Sequence, residues 1–228
     1  MGEMLGNISH QWRQPLSVIS SLATGARLKK ELDLLPANEF YESMDLINKN
    51  AQYLSKTIDD FRNFFISDAN SLIEINLKNS IEKVFSLIKD SFRSSNINTI
   101  FSIKDVYLIS NENVFIQALL NIFNNARDAL KESDITEKYV FIDLFRENDN
   151  YILTIKDNAG GIPDNIINKI FEPYFTTKHK SQGTGIGLYM TNQIITKHLK
   201  GQITVNNVSY YYNNKKYNGA CFEIKVPI

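Results

Sequence analysis

The feature that most constrains this chain of 228 residues is an apolar series with alternating steps of four and three. It runs Phe40, Met44, Ile47, Ala51, Leu54, Ile58, Phe61, Phe65. That period marks the seam of a coiled coil or helical bundle, which needs a facing helix to cover it. A matching stripe precedes it: Leu5, Ile8, Trp12, Leu16, Ile19, Ala23 and Ala26. Between the two, Asp33 to Ala37 contains Pro36, a turn signal and a good residue at a helix start. Residues 1–67 therefore read as a helical hairpin. Two helices bury little core alone, and two copies would complete a four-helix bundle, so a homodimer is expected.

Residues 68–76 read as a linker and 77–228 as an α+β domain. Leu77 to Phe92 is amphipathic helix, Ile97 to Ile109 holds one or two short strands, and Asn111 to Lys131 is a longer helix. Tyr139 to Phe145 and Tyr151 to Ile155 alternate as neighbouring strands across a turn at Glu147 to Asn150. Glycine-containing stretches follow at 157–163 and 183–187. A helix is expected over Gly187 to Leu199, then strands over Gln202 to Tyr212 and Ala220 to Val226.

Lys+Arg and Asp+Glu both number 25. A balanced chain has no general electrostatic grip on nucleic acid or on an anionic membrane. The one cysteine, Cys221, cannot close an intramolecular disulfide and fits a reducing, cytoplasmic setting. It reads as a strand core residue. No run approaches the length of a membrane span. The first motif begins so near residue 1 that an upstream sensor domain is expected, with membrane attachment of a longer protein left open.

Four groups of residues carry chemistry. On the first helix, the apolar stripe centres about 160° from His10, so the imidazole is expected to face away from the bundle core. An exposed neutral imidazole is a competent nucleophile, and Pro15 removes a backbone donor and is expected to bend the helix just beyond it. In the second, Asn121 and Asn125 stand four apart and share a helical face. In the third, Asp157-Asn158-Ala159-Gly160-Gly161 follows a strand. Its carboxylate can accept from an exocyclic amine, and its glycines admit a flat ring; a capped tight turn reads equally well. In the fourth, Phe171 to Lys178 leads to Gly183-Thr184-Gly185-Ile186-Gly187, a backbone suited to cradle phosphates or simply a flexible loop. No Walker A loop occurs. Tyr210, Tyr211 and Tyr212 read as a partly exposed strand, with a docking surface as the sharper alternative.

Taken in order, the last three groups, as an Asn helix, an Asp and glycine pair after a strand, an aromatic box and a glycine run before a helix, resemble the N, G1, F and G2 boxes of the Bergerat-fold ATPases, across residues 77–228. His10-Gln11-Trp12-Arg13-Gln14-Pro15-Leu16 resembles the phosphoacceptor box of sensor histidine kinases. The resemblance implies an α-helical hairpin, a four-helix bundle as a dimer, followed by a two-layer α+β sandwich. It implies ATP and Mg²⁺, with Asn125 on the metal and Asn121 supporting it one turn earlier. It places Asp157 on the adenine amine and Gly161 beside the ring. It places Gly183, Thr184, Gly185 and Gly187 around the triphosphate, with Lys178 as a further phosphate contact. The implied activity is autophosphorylation of His10 and transfer to an aspartate of a response regulator receiver domain. The alternatives are a hydrolysing Bergerat ATPase and a nucleotide-sensing binding module. Hydrolysing relatives resemble Glu-x-x-x-Asn, whereas Asn121 stands at the Glu position and cannot act as a base. Many related kinases carry Glu or Asp directly after the acceptor, where this chain has Gln11. Gln14 stands where relatives place a Thr or Asn that orients water.

Overall fold

The computed structural model describes residues 2–65, 72–178 and 185–228, excluding the side chains of residues 2–11, 14, 56, 57 and 59–65. The chain forms two compact units, a hairpin and a sandwich.

In the hairpin, α1 spans Gly2–Glu31 and α2 spans Ala37–Phe65. Asp33 takes the left-handed conformation at φ 54, and the Leu34 N–H donates to the Lys29 carbonyl at 2.8 Å. That six-to-one bond closes a helix end, and a short polar residue tolerates the positive φ. Pro36 then offers its carbonyl to the Phe40 N–H at 3.0 Å, starting α2 as its place in the sequence suggests. Lys29 and Glu39 pair across the turn. Helix α1 continues through Pro15. Among the described residues, every buried hydrophobic side chain lies at Ile75 or later. On the hairpin stripes Leu16, Phe40 and Ile58 are exposed, whereas Ile19, Met44, Ile47 and Leu54 are half-buried. One hairpin thus leaves much of its own apolar seam open.

The sandwich holds the core. Its strands β1 to β7 are Ile73–Asn76, Ile97–Ile103, Tyr107–Ser110, Lys138–Glu147, Asn150–Asp157, Gln202–Tyr212 and Lys215–Pro227. Five of them form a sheet in the order β2-β4-β5-β7-β6, parallel between β2 and β4 and antiparallel elsewhere. Helices α3 (Leu77–Ser94), α4 (Glu112–Glu132) and α6 (Gly187–Gln193) pack with its apolar side chains; α5 (Asp164–Ile167) is a single turn. Alternation places Val140, Ile142 and Leu144 of β4 in the core, as a half-covered strand requires. Helix α3 meets them with Ile81, Val84, Ile88 and Phe92, spaced for one helical face. Phe123 of α4 meets Phe85 and Phe92 edge-on, at centroid distances of 5.6 and 6.3 Å. Asn76 and Asn111 cap α3 and α4 by accepting from backbone N–H groups.

The differences from the sequence reading are local. Residues 73–76, expected in the linker, form β1 and pair with β3. The helix expected over Gly187 to Leu199 stays α-helical to Gln193 and becomes a π-helical turn over Ile194–His198, with the Leu199 N–H reaching back to the Ile194 carbonyl at 3.2 Å. Strand β7 begins five residues before Ala220, because Asn213 and Asn214 alone make the turn at φ 47 and 61. Two consecutive positive φ values match the twist of a tight hairpin. Cys221 is half-buried rather than in the core, on the face of β7 that carries Glu223; burial pushes its thiol up to about 11. Of the three tyrosines, Tyr211 is exposed, whereas Tyr210 and Tyr212 pack with Tyr139, Phe141 and Tyr217.

Candidate functional site

Asp157 ends β5, where the strand leaves the sheet, and only 4% of it is exposed. Its Oδ1 accepts from the Ala159 N–H at 2.9 Å and from the Ala220 N–H at 3.2 Å. Its Oδ2 makes no hydrogen bond among the described residues and is not sealed from solvent. Burial holds this carboxyl above the usual aspartate range, with the two N–H donors pulling the other way. The Tyr210 hydroxyl donates to the Asp157 carbonyl at 3.0 Å, and burial first, then the Asp157 charge, keeps that phenol protonated. A Cβ on Gly219 would lie 1.8 Å from the Asp157 carbonyl oxygen, so β7 passes here only as glycine.

The loop after Asp157 is tied down on several sides. Asn158, 1% exposed, donates to the Glu137 carbonyl at 2.7 Å and accepts from the Tyr139 N–H at 2.8 Å. The Gly160 N–H donates to the Asn218 carbonyl at 3.0 Å. Gly161 sits at φ 96, and its missing Cβ would lie 2.5 Å from Asn207 Oδ1. The sequence reading assigned Gly161 to a ring beside the loop. In the fold, its glycine identity also answers to left-handed backbone and to Asn207.

On α4, Asn121 and Asn125 are both half-buried. Asn121 donates from Nδ2 to the Gly187 carbonyl at 3.1 Å and to Thr191 Oγ1 at 3.3 Å. Thr191, fully buried, donates to the same carbonyl at 3.0 Å. Asn121 therefore fastens α4 to the first turn of α6. The Asn125 amide makes no hydrogen bond among the described residues. The Tyr174 N–H donates to the Gly185 carbonyl at 2.8 Å, joining the aromatic box to the glycine run. Lys178 lies just outside the sandwich unit. Gly183 and Thr184 lie outside the described residues, as do the side chains of His10, Gln11 and Gln14, whose backbone belongs to α1. His198 is exposed at the end of the π-helical turn, as a surface residue should be.

Residues 110–228 match the family described as histidine kinase-, DNA gyrase B-, and HSP90-like ATPase. Residues 1–70 match the His Kinase A (phospho-acceptor) domain. The chain is a histidine kinase catalytic core. It is 26% identical to sporulation kinase A of Bacillus subtilis over 99% of this chain and 34% of that protein. It is 28% identical to the sensor histidine kinase ZraS of Salmonella typhi over 100% of this chain and 46% of that protein. The core thus spans less than half the length of either relative. The solved catalytic domain of the histidine kinase ThkA is 26% identical and covers 69% of this chain and 95% of that one, at a TM-score of 0.57. The solved kinase AdeS of Acinetobacter baumannii shares the fold over 96% of this chain and 97% of that one, at a TM-score of 0.61 and 21% identity.

The sequence offered Asp157, Asn121, Asn125 and the glycines as candidates and read Tyr210 as part of a partly exposed strand, not as a donor to the Asp157 carbonyl; it did not single out Asn207, Gly219 or Thr191. Asn207 had a legible signal. It continues the inward alternation of Ile203 and Val205 in β6 as a polar residue at an apolar position. Gly219 and Thr191 had none, because their constraints are contacts distant in sequence.

Because burial raises the Asp157 pKa, the folded kinase holds this proton more tightly than the unfolded chain. Its ionisation therefore costs stability progressively as pH rises through the window between the ordinary value and the raised one. Asp157→Asn keeps an oxygen to accept from Ala159 and Ala220 without the buried charge. The expected outcome is a higher melting temperature than wild type at pH 7 without nucleotide, with the difference shrinking in acid. Calorimetry of both proteins at pH 7 and pH 4 checks it.

Proposed function

We propose that this core phosphorylates its own His10 from ATP and passes the phosphoryl group to an aspartate of a response regulator. The observation that carries the reading is the presence, in one chain, of a phosphoacceptor match over residues 1–70 and an ATPase match over 110–228. In the transfer, a ring nitrogen of His10 bonds to the γ-phosphorus as the bond to the β-phosphate oxygen breaks and ADP leaves. Proteins catalyse this step mostly by positioning and charge stabilisation. The hairpin and the sandwich domain, which begins at β1, must meet for it, with the segment before Ile73 as the hinge.

In this reading Asp157 Oδ2 accepts the adenine amino N–H. Gly183, Gly185 and Gly187 turn backbone N–H groups to the phosphates, with Thr184 as spacer and Lys178 as a further cationic contact. Asn125 would hold Mg²⁺ through its amide oxygen. The fit is good, because that amide is uncommitted among the described residues and magnesium usually takes few protein ligands beside substrate phosphates. No cluster of three His, Cys, Asp or Glu among the described residues offers a cage of its own. When bound, the ion neutralises phosphate charge. Asn121 favours transfer over hydrolysis, since its amide is engaged with Gly187 and Thr191 and has no basic group to activate water. Gln11 can orient the His10 ring, and Gln14, one turn on, bears on any dephosphorylation of the partner. ThkA has been solved in complex with the response regulator protein TrrA, which supports a partner of that class here.

The hairpin also supports a homodimer, because its seam residues Leu16, Phe40 and Ile58 lie open in a single copy. Sedimentation of the core is expected at twice its 26.2 kDa mass, with the sandwich domain from residue 73 onward alone monomeric. A core that sediments as a monomer would refute the bundle.

Incubation with γ-labelled ATP tests the activity. The expected product is an acid-labile, base-stable phosphorylated protein, with labelling lost in His10→Gln while ATP binding stays near wild type. Release of inorganic phosphate without protein label would instead support a hydrolase. Label persisting in His10→Gln would move the acceptor elsewhere.

A further inference from the structure

We propose that Asn207 of β6 is a positioning residue for base selection, acting by clamping the loop that follows Asp157. Its side-chain amide meets the backbone of Ile162 at both ends. Oδ1 accepts from the Ile162 N–H at 2.7 Å, and Nδ2 donates to the Ile162 carbonyl at 2.7 Å. A carboxamide is suited to this task, since it offers one acceptor and one donor side by side, as a neighbouring strand would. Among the described residues no main-chain ladder reaches the loop at Ile162, so a side chain supplies it.

The placement ties the clamp to the carboxylate. Asn207 lies opposite Ala220 in the β6–β7 register, and the Ala220 N–H is one of the two donors on Asp157 Oδ1. The other donor, Ala159, starts the same loop. The loop is therefore held at its start by Asp157, in its middle by Gly160 on Asn218, and at its end by Asn207. Space remains on one side: a Cβ on Gly160 would meet nothing within 4 Å, whereas a Cβ on Gly161 would run into Asn207. The loop thus has a backed side and an open side, and Asn207 is the backing. Its own side chain is exposed and its amide is spent on Ile162, so it acts through the loop rather than on the base.

This inference rests on the reading that Asp157 Oδ2 accepts from the adenine amine. If the loop sets where the base lies against that oxygen, loosening it lowers discrimination between bases more than it lowers grip on phosphates. The probes are ATP, inosine triphosphate, which has an oxygen in place of the amine, and inorganic tripolyphosphate. Wild type is expected to prefer ATP over inosine triphosphate by roughly tenfold or more, the range for a hydrogen bond to a charged group. In Asn207→Ala that preference is expected to fall severalfold, with tripolyphosphate affinity changed less than about twofold. Asn207→Asp, which keeps the acceptor for the Ile162 N–H and loses the donor, is expected to fall between the two.

Thermal melting of each variant without ligand identifies any that is unfolded; Asn207→Ser then replaces Asn207→Ala, with the same direction expected. An unchanged preference in a folded variant overturns the proposal, as does an equal loss for all three ligands, which would mark Asn207 as merely structural. The two readings separate cleanly. If wild type has no preference, the assignment of Asp157 fails. If Asp157→Asn abolishes the preference and Asn207→Ala leaves it intact, the clamp alone fails.

Discussion

The sandwich domain turns on one buried carboxylate. Asp157 has given up its hydration at the end of β5 and recovers part of the cost from two backbone donors, Ala159 and Ala220, that converge on a single oxygen. The other oxygen remains available. This asymmetry explains much of the surrounding sequence. Gly219 is needed because β7 passes against the Asp157 carbonyl, Tyr210 because that carbonyl takes a further donor, and Asn158 because the turn must be fixed to the start of β4. A buried, partly satisfied acceptor costs stability, and in the proposed reading of Asp157 that cost is carried for selectivity toward a ligand amine.

The two units solve their burial problems differently. The sandwich closes its core within one chain, with Phe85, Phe92 and Phe123 packed edge-on between α3 and α4. The hairpin does not among its described side chains, since the stripe residues there remain half-buried or exposed. A helix pair with a continuous heptad seam and no buried core of its own gains stability chiefly from a partner surface. The unit that matches the phospho-acceptor domain and the unit that matches the ATPase family thus depend on different interactions.

Much of this was legible in the amino-acid order. The heptad steps from Phe40 to Phe65 and the period-two runs of β4 and β5 follow from burial, and all three elements stand where those periods fall. The family resemblance was legible because the residue types in the boxes are dictated by local chemistry, and the match over residues 110–228 agrees with it. What escaped were constraints made by residues distant in sequence. The π-helical turn at Ile194–His198, which buries Ile194 and Ile195, has no counterpart in helix propensity. Strand β1 was hidden because four residues are too short to show a period, and their pairing with β3 spans more than thirty residues of chain. The role of Asn207 follows the same rule, since its partner at Ile162 is 45 residues away.

The most direct test of the account is the ionisation of Asp157 itself, followed through the ¹³C signal of its carboxyl group as pH is varied. Without nucleotide, the titration is expected above the ordinary aspartate value, because burial disfavours the charge. Saturating ATP is expected to move it downward relative to saturating inosine triphosphate, since the two ligands carry the same phosphates and ATP alone brings an amine to the carboxylate. An identical titration with both ligands would show that Asp157 does not meet the base, and the account of the site would be wrong.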